Sequence, residues 1–234
     1  MDDKKDLKPS LKFFLLTFII STHLILQNDL LLNNLYIDFL SYEFELSFLE
    51  SFLFTLLCIM LFLNASNLYD GINLQQSIFI LIFFSYLIFK NPNLEIVKLL
   101  LIPLIFFIYL NSINKSFLGD SGTLFISYFL SMLVISEYYN NNILISEILL
   151  LMILPGIDML RLFVIRIINK KNPFYPDKLH IHHLLIKKFN LFETNLIMIN
   201  ITLIPLILFN FFPQLFIYIL IMTLIIYSVI VKKT

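Results

Sequence analysis

The chain has 234 residues, of which 59% are hydrophobic, and its mean hydropathy is +0.91. Its 16 basic and 16 acidic residues leave a formal net charge of +0, which by itself says nothing about partners. A soluble domain could not bury this much apolar surface, so the composition excludes a soluble protein and predicts an integral membrane protein. The single cysteine, Cys58, lies in an apolar run and offers neither a disulfide nor a thiolate metal site.

Long apolar runs predict the membrane spans, because a bilayer core of about 30 Å needs roughly 17–25 helical residues for each crossing. We predict an all-α fold, a polytopic transmembrane helix bundle of about eight spans that forms a single domain over residues 1–234. The predicted spans are Leu11–Gln27, Leu46–Leu63, Ile72–Phe89, Leu94–Leu110, Phe117–Ser136, Ile143–Ile165, Thr194–Phe211 and Gln214–Val231. The sixth contains Pro155-Gly156, so we expect it to kink and to extend past the membrane surface.

The distribution of lysine and arginine predicts the orientation. If the N-terminus is cytoplasmic and each segment crosses once, every basic residue except Lys90 and Lys98 falls on the cytoplasmic side. Both termini are then cytoplasmic. The same count places four polar segments on that side, and we expect them to form one composite site at the membrane surface. They are Asp2-Asp3, Asn64–Asn73, the Gly119–Gly122 turn and Asp158–His183.

The first two polar segments each have two interpretations. Asp2-Asp3 precedes a basic helix start, where acidic residues are favoured by the helix dipole, so a solvated cap is the plain alternative to a catalytic or metal-binding role. The segment Asn64–Asn73 has the Asn, Asp and Gly composition of a connector. Its amide and carboxylate side chains could instead read a nucleobase and a ribose. The candidate binding residues here are Asn64, Asn67, Asp70 and Asn73.

The third segment, Phe117–Thr123, opens a span. Its glycines allow close backbone approach, and Asp120 is either a simple helix cap or a hard oxygen ligand for Mg²⁺ at the membrane boundary.

The fourth segment combines Arg166 with the cluster His180, His182 and His183 in a proline-containing stretch, Pro173–His183, which we expect to be a loop or broken helix outside the hydrocarbon. It is either a solvated, positive-inside loop or a grip on phosphate oxygens. Zinc fits less well, because the histidines lack the spacing of a helical zinc site.

Together these segments resemble the polyprenyl-phosphate N-acetylhexosamine-1-phosphate transferases. That family carries an Asp-Asp pair, an Asn-Ala-x-Asn-x-x-Asp-Gly stretch, a Phe-x-Gly-Asp-x-Gly-Ser turn and a late loop with an Asp, an Arg and a His-x-His-His cluster. All four occur here in the same order. The matching residues are Asp2, Asp3, Asn64, Ala65, Asn67, Asp70, Gly71, Phe117, Gly119, Asp120, Gly122, Asp158, Arg166, Pro173, Phe174, Asp177, His180, His182 and His183. The His-Ile-His-His form is similar to the branch that uses UDP-N-acetylglucosamine or related UDP-sugars.

The resemblance implies an enzyme that transfers N-acetylhexosamine 1-phosphate from a UDP-sugar to polyprenyl (undecaprenyl) phosphate and releases UMP. The product would serve surface polysaccharide, such as lipopolysaccharide, or cell-wall assembly. Mg²⁺, with Mn²⁺ as the alternative ion, would be held by Asp120 with Asp2 or Asp3. Phe117 would stack on uracil, and Arg166, His182 and His183 would hold phosphate oxygens. The expected location is the inner (plasma) membrane, with the active site facing the cytoplasm. The bilayer and a second copy of the chain are further candidate partners; nucleic acid is not.

The sequence departs from the family pattern in three ways. Family members usually have about three spans before the Asp-Asp pair, so we expect this chain to lack them. Asn73 and Leu74 replace an Asp and a Gly, and Thr123 stands where Ser is usual. Two other functions stay open: a truncated, non-catalytic membrane subunit, and a transporter. The almost purely apolar middle of each span argues against the transporter.

Overall fold

The computed structural model describes residues 9–171 and 178–233, and this part of the chain is predominantly helical. The helices are α1 (Pro9–Leu26), α2 (Phe48–Tyr69), α3 (Gln75–Lys90), α4 (Glu95–Ser112), α5 (Gly119–Tyr139), α6 (Ile145–Leu151), α7 (Ile153–Ile168), α8 (Ile181–Leu185), α9 (Leu191–Phe211) and α10 (Phe216–Lys233). The predicted all-α membrane bundle is confirmed.

Each of the eight predicted spans coincides with one helix or, for the sixth, with the pair α6 and α7. Among the described residues, five helices are long and apolar enough to cross a bilayer, and α6 with α7 makes a sixth candidate. The remaining two, α1 and α3, are apolar but shorter. Exposed apolar side chains cover the outer faces of the bundle, as expected for helices that face lipid rather than water.

The sixth segment breaks earlier than predicted. We expected a kink at Pro155-Gly156, but α6 ends at Leu151 and α7 begins at Ile153, with an angle of 68° between them. The physical cause is still the proline. Pro155 has no backbone N–H to donate to the carbonyl of Leu151, so the helix stops there and the proline lies in the first turn of α7, where its missing donor costs nothing.

A β-hairpin that the sequence analysis did not predict joins α1 to α2. Strands β1 (Asn34–Ile37) and β2 (Tyr42–Glu45) pair antiparallel, with Asn34 opposite Glu45. The hydroxyl of Tyr138, on α5, accepts a hydrogen bond from the backbone N–H of Tyr36 at 2.7 Å. This contact fixes one strand of the hairpin against the end of α5.

Polar contacts sort the helix ends into two groups. At one end, the turn between α2 and α3 meets the start of α5, the end of α4, α8 and the start of α9. At the other end, the hairpin meets the end of α5 and the start of α6, and the end of α3 meets α6 and the end of α9. α3, α5 and α9 each have contacts in both groups, so these helices run from one end of the bundle to the other.

Candidate functional site

The polar segment after the second span is mostly helical. The connector interpretation of Asn64–Asn73 holds only for its last residues, because α2 continues to Tyr69 and only the residues after it turn. The helix continues because no glycine or proline interrupts it before Gly71. The side chain of Asn64 donates to the Met60 carbonyl one turn back at 2.7 Å, so this amide hydrogen-bonds within the helix rather than in a turn. The side-chain oxygen of Asn67 is buried and has no hydrogen-bond partner among the residues that the structure describes. The turn itself requires a left-handed backbone at Leu74, where φ is 71°.

A hydrogen bond joins this turn to the start of α5. The hydroxyl of Thr123 donates to Oδ2 of Asp70 at 2.5 Å. One turn further into the bundle, Ser127 donates to the hydroxyl of Ser66 at 2.7 Å, and the amide of Gln76 donates to the same hydroxyl at 2.7 Å. Serine, which is usual in the family at position 123, offers the same donor, so the observed Thr is a conservative departure.

Asp120 lies at the exposed start of α5, with 72% of its side chain accessible, and forms an ion pair with Lys12 of α1. The preceding glycine, Gly119, has a φ of 65°, a left-handed conformation that favours glycine and starts the helix sharply. Asp120 is also close enough to influence Asp70. Burial raises the pKa of Asp70, the hydrogen bond from Thr123 lowers it, and the negative charge of Asp120 raises it again. The carboxylates of Asp70 and Asp120 therefore lie close enough for the charge of one to affect the protonation of the other.

These residues line a cleft of about 330 Å³. Its walls come from the turn after α2, the end of α4 and the start of α5, and they include Asp70, Asn73, Asn111, Phe117 and Asp120. Phe117 is largely exposed, with its ring available to a ligand. The carboxylates, amides and exposed aromatic ring around this cleft form a surface that can bind both a polar and an aromatic group.

Asn111, which sequence reasoning missed, holds two walls of the cleft together. Its side-chain oxygen accepts from the backbone N–H of Leu74 at 2.6 Å, and its side-chain nitrogen donates to the Ser116 carbonyl at 2.7 Å. The signal available in the sequence was an asparagine at the end of an apolar run, and the structure shows that its side chain is buried and hydrogen-bonded. The side chain of Asn73 donates in turn to Asn114, and its carbonyl accepts from Asn195 of α9 at 3.1 Å.

The histidine cluster lies directly behind the same turn. His182 and His183 are on the short helix α8, and His180 is the residue that precedes it. The ring of His182 packs so closely on Gly71 that a Cβ atom at that glycine would lie 1.9 Å from Nε2. The fourth polar segment therefore contacts the second, which in turn contacts the third through Asp70 and Thr123.

His182 is buried, with 1% of its surface accessible. Its pKa is lowered to about 3, mainly by burial and also by the neighbouring imidazoles of His183 and His180. The side-chain nitrogen of Gln75 lies 3.3 Å from its Nδ1. His182 is consequently neutral at pH 7 and can offer a phosphate an N–H group but not a positive charge.

The structure places the other predicted residues as follows. His180 Nδ1 lies 2.7 Å from Oδ2 of Asp158, and Arg166 is buried in the last turn of α7. Asp2 and Asp3, together with Pro173, Phe174 and Asp177, lie outside the described residues. Within the described ranges, no group of three or more His, Cys, Asp or Glu side chains is preassembled to hold a metal ion. The catalytic, binding and metal roles of all these residues stay predictions.

The fold and this site define a class: a multi-pass α-helical membrane protein with a polar cleft where several helix ends meet. The sequence profile described as "Glycosyl transferase family 4" matches residues 1–137. The chain therefore belongs to glycosyl transferase family 4.

Three curated relatives resemble the chain over different lengths. A Bacillus subtilis (strain 168) protein named "Probable undecaprenyl-phosphate N-acetylglucosaminyl 1-phosphate transferase" is 30% identical over 192 residues, covering 78% of this chain and 53% of that protein. Proteins named "Undecaprenyl-phosphate alpha-N-acetylglucosaminyl 1-phosphate transferase" are 32% identical over 89 residues in Thermotoga maritima and 31% identical over 75 residues in Haemophilus influenzae. These two alignments cover 38% and 31% of this chain, and 30% and 21% of those proteins.

The chain thus spans about half the length, or less, of the curated relatives that it matches. No solved structure matches it.

Proposed function

We propose that this chain transfers N-acetylhexosamine 1-phosphate from a UDP-sugar to a polyprenyl phosphate, with release of UMP. The observation that carries the proposal is the contact between three polar segments that are far apart in sequence. Thr123 bonds Asp70, and His182 packs on Gly71, so all three segments meet beside one cleft. The names of the relatives support this choice of reaction.

The cleft faces the cytoplasm of a cell whose plasma membrane holds the bundle. Support comes from charge: apart from Lys90 and Lys98, the lysines and arginines of the described residues lie toward the end of the bundle that holds the cleft. Positive residues are favoured on the cytoplasmic side. A sugar nucleotide from the cytosol and a lipid phosphate in the inner leaflet would both reach this end.

In the reaction, an oxygen of the lipid phosphate attacks the sugar-bearing phosphorus, and the bond between that phosphorus and the oxygen of UMP breaks. The second pKa of a phosphate monoester is about 6, so the attacking oxygen is largely deprotonated at neutral pH and needs little help from a base. Positioning and charge stabilisation therefore matter most. Asn67 and Asp70 would face the nucleoside, Phe117 would stack on uracil, and Arg166 would bind phosphate oxygens.

The chemistry of the donor set fits a hard divalent cation such as Mg²⁺ or Mn²⁺. Asp120 presents an exposed carboxylate that already attracts the Lys12 ammonium, and Asp70 lies close enough to sense its charge. Asp120, together with Asp2 or Asp3, would hold the ion. When bound, the ion would neutralise charge on the diphosphate and on the leaving UMP.

Asp120→Asn tests the proposal. We expect UMP release from a panel of UDP-sugars to fall by at least about 100-fold, because the amide lacks the charge that the cation requires. The measurement is UMP release by purified membranes, with this chain and with a version extended at its N-terminus. Insertion and stability should survive, since Asp120 is largely exposed. The control is Asp29→Asn, an exposed carboxylate at the opposite end of the bundle. Near-normal release by Asp120→Asn would reject the metal role, and no release by either wild-type version would reject the function.

A further inference from the structure

One buried carboxylate outside the cleft collects an unusual number of donors. Asp158 of α7 is 3% exposed. Its Oδ2 lies 2.7 Å from His180 Nδ1, and its Oδ1 accepts from Arg161 at 2.9 Å, from the Tyr227 hydroxyl at 2.6 Å and from the backbone N–H of Ile181 at 3.2 Å. A carboxylate that accepts from four donors in this way is held in one orientation.

Two of these donors belong to the start of α8. His180 is the residue before the helix and Ile181 is its first residue, so Asp158 fixes the point at which α8 begins. Arg161 adds a third restraint on the same stretch, because its Nη2 donates to the Leu179 carbonyl at 2.6 Å. The ring of His182 then stacks on that of His180, with centroids 5.5 Å apart and an interplanar angle of 3°.

The last helix, α10, contributes a tyrosine that hydrogen-bonds both Asp158 and Arg161. Tyr227 of α10 donates to Asp158 and accepts from Nε of Arg161 at 2.6 Å, while the guanidinium carbon lies 5.9 Å from the centre of its ring. The Tyr227 hydroxyl therefore hydrogen-bonds both members of the Asp158–Arg161 ion pair and fixes their relative position.

We propose that Tyr227, through Arg161 and Asp158, is a positioning residue that sets the imidazoles of His180 and His182 against the Gly71 turn. A purely structural cluster between α7 and α10 would be complete with Asp158, Arg161 and Tyr227. Here two further donors come from the stretch that carries the histidines. The use of this placement in sugar-phosphate transfer rests on the proposed function. The placement of the histidines by Tyr227 does not depend on that function.

Tyr227→Phe tests the proposal in the full chain, because it removes one hydroxyl and leaves the ring in place. The matched control is Tyr218→Phe on the same helix, since Tyr218 is largely exposed on the outer face. The measurement is the rate at which diethyl pyrocarbonate modifies His180 and His182, read from peptides by mass spectrometry. His23, which lies on α1 away from the network, serves as the internal reference.

We expect His180 and His182 to react about tenfold faster in Tyr227→Phe, as expected when a hydrogen bond to a charged group is lost, and at the wild-type rate in Tyr218→Phe. An unchanged rate in Tyr227→Phe overturns the proposal. An equal increase in the modification rate of His23 also overturns the proposal, because it would mean that the whole protein has become more accessible to the reagent. If Tyr227→Phe fails to insert in the membrane, Arg161→Lys takes its place in the test. This variant keeps the charge but loses the Nε donor to Tyr227, and the same faster modification of His180 and His182 is expected.

Kinetics separate positioning from a merely structural role. If the wild type releases UMP, the KM for the UDP-sugar should rise in Tyr227→Phe. A variant that merely contains fewer folded molecules would show a lower total rate with an unchanged KM. That result would overturn the proposal. If the wild type releases no UMP, only the proposed function fails, and the modification ratio still decides whether Tyr227 positions the histidines.

Discussion

Gly71 is the residue at which the turn after α2 touches the histidine cluster. A methyl group there would overlap the His182 ring, and that ring is enclosed on its other sides, so it has little room to move. We expect Gly71→Ala to destabilise the protein by about 1–3 kcal/mol, which is typical of overpacking in a tight interior. The measurement is thermal unfolding of the purified protein in detergent.

The control for this prediction is Gly156→Ala. Gly156 is in α7, and a Cβ atom there would meet nothing within 4 Å. Alanine should be tolerated or slightly stabilising at this position, because it reduces the entropy of the unfolded chain. Equal unfolding temperatures for Gly71→Ala and Gly156→Ala would mean that His182 does not pack on the turn.

Protonation of His182 should destabilise the protein in acid. Its pKa in the folded state is about 3, below the ordinary value of 6.5, so its contribution is fully present above pH 6.5 and is lost as the pH falls toward 3. At pH 5 the loss is roughly 2 kcal/mol. Unfolding temperatures measured between pH 7 and pH 5 should therefore fall.

His182→Gln isolates this contribution. The pKa of Asp70 is raised, so the protonation of Asp70 favours the folded state as the pH falls and opposes the histidine. Comparison of the wild type with His182→Gln removes that background, and the variant should show the flatter pH dependence. The same slope in both proteins would contradict the neutral, buried state of His182.

At the scale of single elements, the lengths of the apolar runs predicted the long apolar helices of the described residues but not every helix end. The extension of α2 to Tyr69 was missed because Asn-rich composition favours a turn, whereas the nearest helix-breaking residue is Gly71. The hairpin before α2 was missed because the four residues that connect its strands, 38–41, carry no Asn-Gly or Asp-Gly signal. Ser41 occupies the left-handed position between its strands instead.

An ion pair fixes α3 to α6 at the end of the bundle opposite the cleft. Glu147 is buried and accepts from Lys90 at 2.8 Å and from the Tyr86 hydroxyl at 2.7 Å. We expect Lys90→Met to destabilise the protein by about 3 kcal/mol or more, because it leaves a buried carboxylate without its counter-charge. The measurement is again thermal unfolding in detergent.

The matched control is Lys98→Met. Lys98 pairs with Glu95 within the first turn of α4, but both side chains are exposed, at 41% and 75%, so the loss should stay below about 1 kcal/mol. A similar loss for Lys90→Met and Lys98→Met would mean that the Glu147 cluster does not stabilise the contact between α3 and α6.

For the whole molecule, counting spans predicted that the second, third and fourth polar segments lie at the same end of the bundle, because each crossing reverses the side on which the next connection lies. The contact between Asp70 and Thr123 and that between Gly71 and His182 agree with this prediction, whereas the position of Asp2-Asp3 stays a prediction because these residues lie outside the described part of the chain. The partners of Asp158 could not be found in the same way. Tyr227 is 69 residues away and looks like an ordinary aromatic residue of an apolar helix, so only packing reveals its role.

The alternation also predicts which positions reagents can reach from each side of the membrane. In a Cys58→Ala background, Glu43→Cys in the hairpin and Asn141→Cys after α5 lie at the end opposite the cleft. Lys115→Cys and Lys187→Cys lie at the end that holds it. In right-side-out membrane vesicles, a membrane-impermeant maleimide should modify the first pair at once and the second pair only after detergent is added, because basic residues favour the inner side. Immediate modification of Lys115→Cys would place the cleft outside, where a cytosolic sugar nucleotide could not reach it.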